Sequence, residues 1–370
     1  MKKYLIIPIV MFVVLIFVFG IYVGVTKIFP YDILNNLKDE LESTSSNIKT
    51  SETSDFDAES LININEETDV YQKRQELIQY VWKTEQLPQN VPTDITAKIN
   101  DQRFANLDNL KEIHKISVEM KNGITSVVYL FHPNETNDKL IIYHQGHSGG
   151  FIKGKSTINE FLTNGYSVAA FSMPLFGMNN QPIIDITNIG PVKFQVHRQF
   201  SLLETDDFSP ISYFFTPIAF TLNYFDKNYE FTDYYMVGIS GGGWTTTVYS
   251  AIDPRISKSF EVNGSIPLPL RSQVQDIGDW EQFHPGIHSI ANYLQLYVMS
   301  SHGENRKFVQ IFNEYDPCCF AGTLYELYED EIRSVTSNIG NGKYNTYLDS
   351  SHTEHKISES VIEFILETIN

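Results

Sequence analysis

The chain has 370 residues, a formal net charge of −18, 42% hydrophobic and 19% charged residues, and two cysteines. At the usual domain size of roughly 100 to 250 residues this is one large domain or two ordinary ones, and 25 Phe with 21 Tyr exclude a wholly disordered chain. The acidic excess repels phosphate backbones and argues against nucleic acid as a partner, while the adjacent Cys318 and Cys319 can form neither a disulfide framework nor a four-ligand zinc site.

No charged residue occurs from position 4 to 26, and a helix rising about 1.5 Å per residue over that length crosses a hydrocarbon core of about 30 Å. Lys2 and Lys3 precede it. The excess of positive charge on that side keeps the amino terminus in the cytoplasm and sends the rest of the chain across the membrane. The apolar run is longer than that of a cleaved signal peptide and lacks small residues at its end. Residues 1–30 therefore read as a cytoplasmic tip and an uncleaved transmembrane signal anchor. Residues 31–67, rich in Ser, Thr, Asn and Asp, read as a flexible linker, and 68–370 as the globular domain.

Val70, Leu77, Ile78, Val81 and Trp82 recur at helical spacing, which predicts an amphipathic helix over 70–84. Extended runs at 113–120 and 124–131 flank an Asn122-Gly123 turn and predict a hairpin. Short apolar runs follow at 140–143, 166–171, 234–237 and 308–312, and 343–348 completes the set. Apolar runs separated by helical stretches predict strands buried on both faces in a mainly parallel sheet of α/β type.

The pattern Gly-x-Ser-x-Gly occurs twice, as Gly146-His147-Ser148-Gly149-Gly150 and as Gly238-Ile239-Ser240-Gly241-Gly242. A serine presented for attack needs a strand running into a strained turn and then a helix, with small residues that let the backbone bend. That context is complete around Ser240, between the run at 234–237 and a predicted helix at 244–252. Ser240 is favoured as nucleophile, with Ser148 as the alternative.

With these motifs the region 113–370 resembles the α/β-hydrolase fold, in its serine hydrolase and esterase branch. The hairpin, the strand leading into His144-Gln145-Gly146-His147, the turn at Ser240, an acid-bearing strand and a terminal histidine follow in that family's order of Ser, Asp, His. The resemblance implies a mainly parallel central sheet with flanking helices. It implies an oxyanion hole from the backbone N–H groups of Gly241 and of His147, with Gln145 as an extra residue in the loop. It also implies that the acid lies in the loop after 308–312, where Asp316 is favoured and Glu314 is the alternative. The base lies before the last helix at 358–369, where His355 is favoured and His352 is the alternative.

His144, His147, His284, His288 and His302 show no metal-ligand spacing along the chain, so no metal and no cofactor is expected. Cys318 and Cys319 read as two small residues buried beside the acid loop, against the alternative of a vicinal disulfide. Residues 174–231 and 266–306 exceed ordinary connections and are expected to form cap insertions. The expected function is a membrane-anchored, extracytoplasmic serine hydrolase acting on a small-molecule or polymer-borne carboxylic ester. An acyltransferase or peptidase would use the same triad, and a binding protein could retain the fold without catalysis.

Overall fold

The computed structural model describes residues 56–271 and 276–370. The expected membrane anchor, and the expected linker as far as residue 55, lie outside the described residues. Among the described residues no helix is long and apolar enough to cross a membrane.

The packed domain begins at Phe56, ahead of the boundary expected at 68. Ile62 and Ile64 are buried within it, and Asn292 Nδ2 donates to the Leu61 carbonyl at 2.7 Å, so these residues are not a solvated tether. The expected amphipathic helix is α1 (Glu67–Trp82). Its Arg74 side chain is buried and donates to the Ala251 carbonyl at 2.9 Å, which docks the helix onto the core.

Nine strands form one sheet in the order β1 (Asp94–Ile99), β2 (Leu110–Glu119), β3 (Thr125–Pro133), β5 (Ser167–Phe171), β4 (Lys139–His144), β8 (Asp233–Ile239), β9 (Ile256–Val262), β10 (Lys307–Asn313) and β11 (Lys343–Asp349). β2 and β3 make the expected hairpin, with Glu119 opposite Thr125. From β5 through β4 and β8 to β11 every neighbouring pair is parallel. β6 (Ile183–Ile186) and β7 (Gly190–Lys193) form a separate ribbon.

Both faces of the sheet are covered, as runs of apolar residues demand. One face packs against α2 (Lys155–Thr163) and α7 (Glu359–Ile369), through Ile158, Phe161, Val361 and Ile365. The other carries α1, α3 (Ser212–Asn228), α4 (Gly241–Ile252), α5 (Tyr293–Ser301) and α6 (Glu329–Ile339). The expected caps are thereby shortened. Helix α3 lies inside 174–231 and α5 inside 266–306, yet Phe214, Phe215, Leu296 and Val298 are wholly or almost wholly buried in this layer. The excursions proper are 174–211 and the part of 266–292 that the structure describes.

β9 was not expected from the sequence, since Ser257, Lys258, Ser259 and Glu261 interrupt its apolar pattern. Glu261 is fully buried. Its Oε1 accepts the N–H groups of Gly264 and Ser265, both at 2.6 Å, and Oε2 accepts Gln310 Nε2–H at 2.8 Å. Burial pushes the carboxyl up to about 7 in spite of these donors. The unfolded chain loses this proton near the ordinary value of 4.5, while the folded chain keeps it until about 7. The contribution is therefore complete below 4.5 and lost as pH rises through 7. The stability of the wild type relative to Glu261→Gln should fall by about 3 kcal/mol across that window. Urea denaturation at pH 4.5 and pH 8 measures it, and a pH-independent difference refutes it.

Candidate active site

Parallel strands end together, so the residues following β8, β9, β10 and β11 share one edge. Ile239 pairs with Val262, Val262 with Ile311, and Asn313 with Asp349. Ser240 follows β8 directly, with its N–H donating to the Val262 carbonyl at 2.9 Å. It takes φ 58° and ψ −126° and hands the chain straight into α4. A side chain on Gly242 would collide with the His144 carbonyl, and a Cβ on Gly146 would lie 2.6 Å from that of Ser240. The bend therefore needs glycine in both segments that meet there.

Ser148 has no such setting. It is exposed in the loop after β4, its φ is not positive, and its hydroxyl accepts from Gln145 Nε2 at 3.3 Å. A 3₁₀ turn, Phe151–Gly154, precedes the next helix.

Asp316 is buried in the loop after β10. Its Oδ2 lies 2.7 Å from His355 Nδ1, and its Oδ1 accepts Cys318 N–H at 2.7 Å. A carboxylate only accepts, so Nδ1 carries the hydrogen and the lone pair of the neutral ring sits on Nε2. His355 Nε2 is buried and has no partner among the described residues. The imidazole is thus fixed on one side and free to take a proton on the other.

The alternatives are turned elsewhere. Glu314 accepts from Ser350 Oγ. His352 Nδ1 accepts Glu354 N–H at 3.1 Å, which leaves its hydrogen on Nε2, 3.1 Å from Asp349 Oδ2 but outside hydrogen-bond geometry. No nitrogen of His352 has a lone pair to spare for a hydroxyl.

Gly241 opens α4, where the first N–H groups have no partner within the helix. The His147 ring lies against it, since a Cβ on Gly241 would approach His147 Nδ1 to 2.6 Å. The two residues expected to supply oxyanion donors are therefore neighbours.

No family model and no curated protein matches the chain. Solved structures do. An acetyl xylan esterase from Paenibacillus sp. R4 aligns with a TM-score of 0.54 at 12% identity, over 87% of this chain and 99% of its own. Acetyl xylan esterase 1 from Thermoanaerobacterium sp. JW/SL YS485 gives 0.52 at 15%, over 85% and 98%. The methylesterase BT1017 gives 0.54 at 15%, over 84% of this chain and 66% of its own. The chain has the α/β-hydrolase fold.

Within this α/β-hydrolase frame two asparagines join the candidate residues. Asn313 Nδ2 donates to Asp316 Oδ2 at 3.2 Å and to the Lys356 carbonyl at 3.0 Å, tying the acid loop to the residue after His355. Asn263 Oδ1 accepts Asn313 N–H at 2.7 Å, and its Nδ2 donates to the Cys319 carbonyl at 2.8 Å. The available sequence signal was weak, an asparagine directly after an apolar run.

Cys318 and Cys319 are joined by a disulfide and are half-buried, which corrects the reading of two buried free thiols. His147 meets His197 and Glu281, residues 50 and 134 positions away, a cluster that spacing along the chain could not reveal. Burial pushes His144 and His288 down to about 4, so both are neutral at neutral pH. A surface cavity of about 750 Å³ opens between the end of α1 and α3, and Ser240 does not line it.

The proton between His355 Nδ1 and Asp316 should appear far downfield of the amide region in a proton NMR spectrum. It should vanish in Asp316→Asn and persist in Glu314→Gln and Asp349→Asn. Its survival in Asp316→Asn refutes the pairing.

Proposed function

We propose that the chain is a serine hydrolase that cleaves a carboxylic ester through Ser240, His355 and Asp316. The observation that carries this reading is the His355–Asp316 hydrogen bond at 2.7 Å, with the outer nitrogen of the ring free, on the sheet edge that also bears the strained Ser240 turn. Such a turn costs on the order of 1–3 kcal/mol and persists where the surroundings over-determine it.

Ser240 Oγ attacks the acyl carbon while His355 Nε2 takes its proton. Asp316 accepts Nδ1–H throughout, holds the tautomer and stabilises the imidazolium. The backbone N–H groups of Gly241 and His147 receive the charge that develops on the carbonyl oxygen, each worth about 3 to 4 kcal/mol in enzymes of known mechanism. His355 returns the proton to the leaving alcohol oxygen, and an acyl group remains on Ser240. Water, deprotonated by the same Nε2, attacks this ester, and collapse of the second intermediate frees the acid and Ser240.

Short acyl esters are the first substrates to test, since two structural neighbours are acetyl xylan esterases and a third is a methylesterase. A small-molecule or polymer-borne ester fits equally. We place the domain outside the cytoplasm, anchored through residues 4–26. Lys2 and Lys3 before the uncharged stretch support this orientation, as does the Cys318–Cys319 bond, which persists in an oxidising compartment.

A fluorophosphonate probe should label the full-length protein and Ser148→Ala but not Ser240→Ala. Hydrolysis of 4-nitrophenyl acetate should fall by about 10³-fold or more in His355→Ala and Asp316→Asn, and by less than about 10-fold in His352→Ala. An unlabelled wild type, or a His352→Ala loss exceeding that of His355→Ala, overturns the assignment.

A further inference from the structure

We propose that His147, His197 and Glu281, with the Asp279 carboxylate beside His147, form a binding site for a zinc-class divalent cation, which ties both excursions to the loop after β4. His147 belongs to that loop. His197 opens the 3₁₀ turn His197–Leu203 of the first excursion, and Glu281 lies in the turn Trp280–Phe283 of the second, with Asp279 as its N-cap.

The donor atoms already face one another. His147 Nε2 lies 2.7 Å from Glu281 Oε1, 3.2 Å from His197 Nδ1 and 3.2 Å from Asp279 Oδ2, and His197 Nδ1 lies 2.9 Å from Glu281 Oε2. A tetrahedral zinc site with ligands at about 2.0 to 2.1 Å has its ligand atoms about 3.3 Å apart. The ligand atoms of His147, His197 and Glu281 all lie within 4.8 Å of one another, so shifts of well under about one ångström at the close pairs bring these three into such a shell, while Asp279 reaches His147 at the rim. Two imidazoles with carboxylates are also the donor set that suits zinc rather than magnesium or calcium.

The outer partner of His197 points the same way. Its Nε2 faces the Pro174 carbonyl at 2.8 Å and therefore carries the hydrogen. In the neutral ring Nδ1 is then a bare lone pair, aimed at a carboxylate oxygen in a place where the His197 side chain is 2% exposed and Glu281 is 0% exposed. Two acceptors that close need something positive between them. A cation meets that need, and the backbone carbonyl behind His197 is the usual support of a ligating imidazole. His147 places the site beside the nucleophile turn, because its ring packs against Gly241. The cation acts there as a positioning group, holding the loop and both excursions in register.

The test uses full-length protein made without a polyhistidine tag, stripped with a chelator and dialysed against zinc chloride. Mass spectrometric metal analysis should find one zinc per wild-type chain, with bound cobalt(II) giving the visible absorption of a tetrahedral site. His197→Ala and Glu281→Gln should lose both signals, and Asp279→Asn should weaken binding about 10- to 100-fold. Ser240→Ala should keep its zinc, so this site and the hydrolase reading fail separately. If the variants at the buried positions do not fold, His147→Ala, on the more exposed ring, decides in their place. A wild type that takes up no stoichiometric zinc overturns the proposal and leaves the cluster held by protons alone. Zinc content unchanged in His197→Ala and Glu281→Gln, or in His147→Ala where those do not fold, overturns it as well.

Discussion

At Ser240 the backbone holds φ 58° and ψ −126°, and the surrounding structure is arranged so that this bend cannot relax. On one side, β4 presses the His144 carbonyl against Gly242 and brings Gly146 onto the serine itself. On the other, α4 is buried along its whole length and cannot slide. Its far end is held too. Arg74 donates to the Ala251 carbonyl at 2.9 Å and Arg306 to that of Ser250 at 2.5 Å, placing two cations where the helix dipole is negative. Helix α1 therefore contributes to the geometry of a turn at the opposite end of α4. A serine on a strained turn is only as well placed as the helix behind it.

The buried polar network in the centre of the sheet serves the same edge. Glu261 accepts two backbone N–H groups just beyond β9, where the chain must turn away beside the serine loop. Gln310 links that carboxylate to the hydroxyls of Tyr328 and Tyr344. A purely apolar residue at 261 would leave the N–H groups of Gly264 and Ser265 without acceptors in a fully buried place, at about 1–3 kcal/mol each. Such a network fixes one arrangement of β9 against β10, and the loop after β10 carries Asp316. The polar residues that break the strand's sequence pattern are thus the ones that align the site.

What could be read from the sequence follows from how local each constraint is. Strands β4, β5, β8 and β10 are short apolar runs, and their burial on both faces is written in consecutive residues. β1 was missed because Thr96 and Lys98 face solvent on an edge strand, and β9 because its polar side chains are satisfied by partners distant in sequence. The serine turn was legible because its glycines are adjacent to the residue they serve. Position before the last helix favoured His355 over His352 without separating them, and in three dimensions each stands beside a carboxylate. What distinguishes them is that Glu354 N–H occupies His352 Nδ1, whereas His355 Nδ1 faces Asp316. Likewise the bond between Cys318 and Cys319 and the meeting of His147 with His197 and Glu281 are facts of three-dimensional approach.

The two excursions are where sequence reasoning had least to hold, and for the same reason they depend on side chains. Their described backbone has one short ribbon, short 3₁₀ turns and the α-helical turn Pro285–His288, so few main-chain ladders define their position. They are joined by side chains, among them the contact of Phe200 with Trp280, His284 Nε2 facing Glu204 Oε2 at 3.1 Å, and the buried group of His197 and Glu281. A cluster of charge at 0% exposure is costly to form without full compensation. In exchange it specifies one arrangement of two loops that apolar packing alone would allow to shift. His147 belongs to this cluster and also to the loop beside Ser240. His147 thus couples the part of the molecule least determined by regular structure to the part most tightly determined by it, alongside Gln282, whose Nε2 donates to the carbonyl of Gly264, packed on α4.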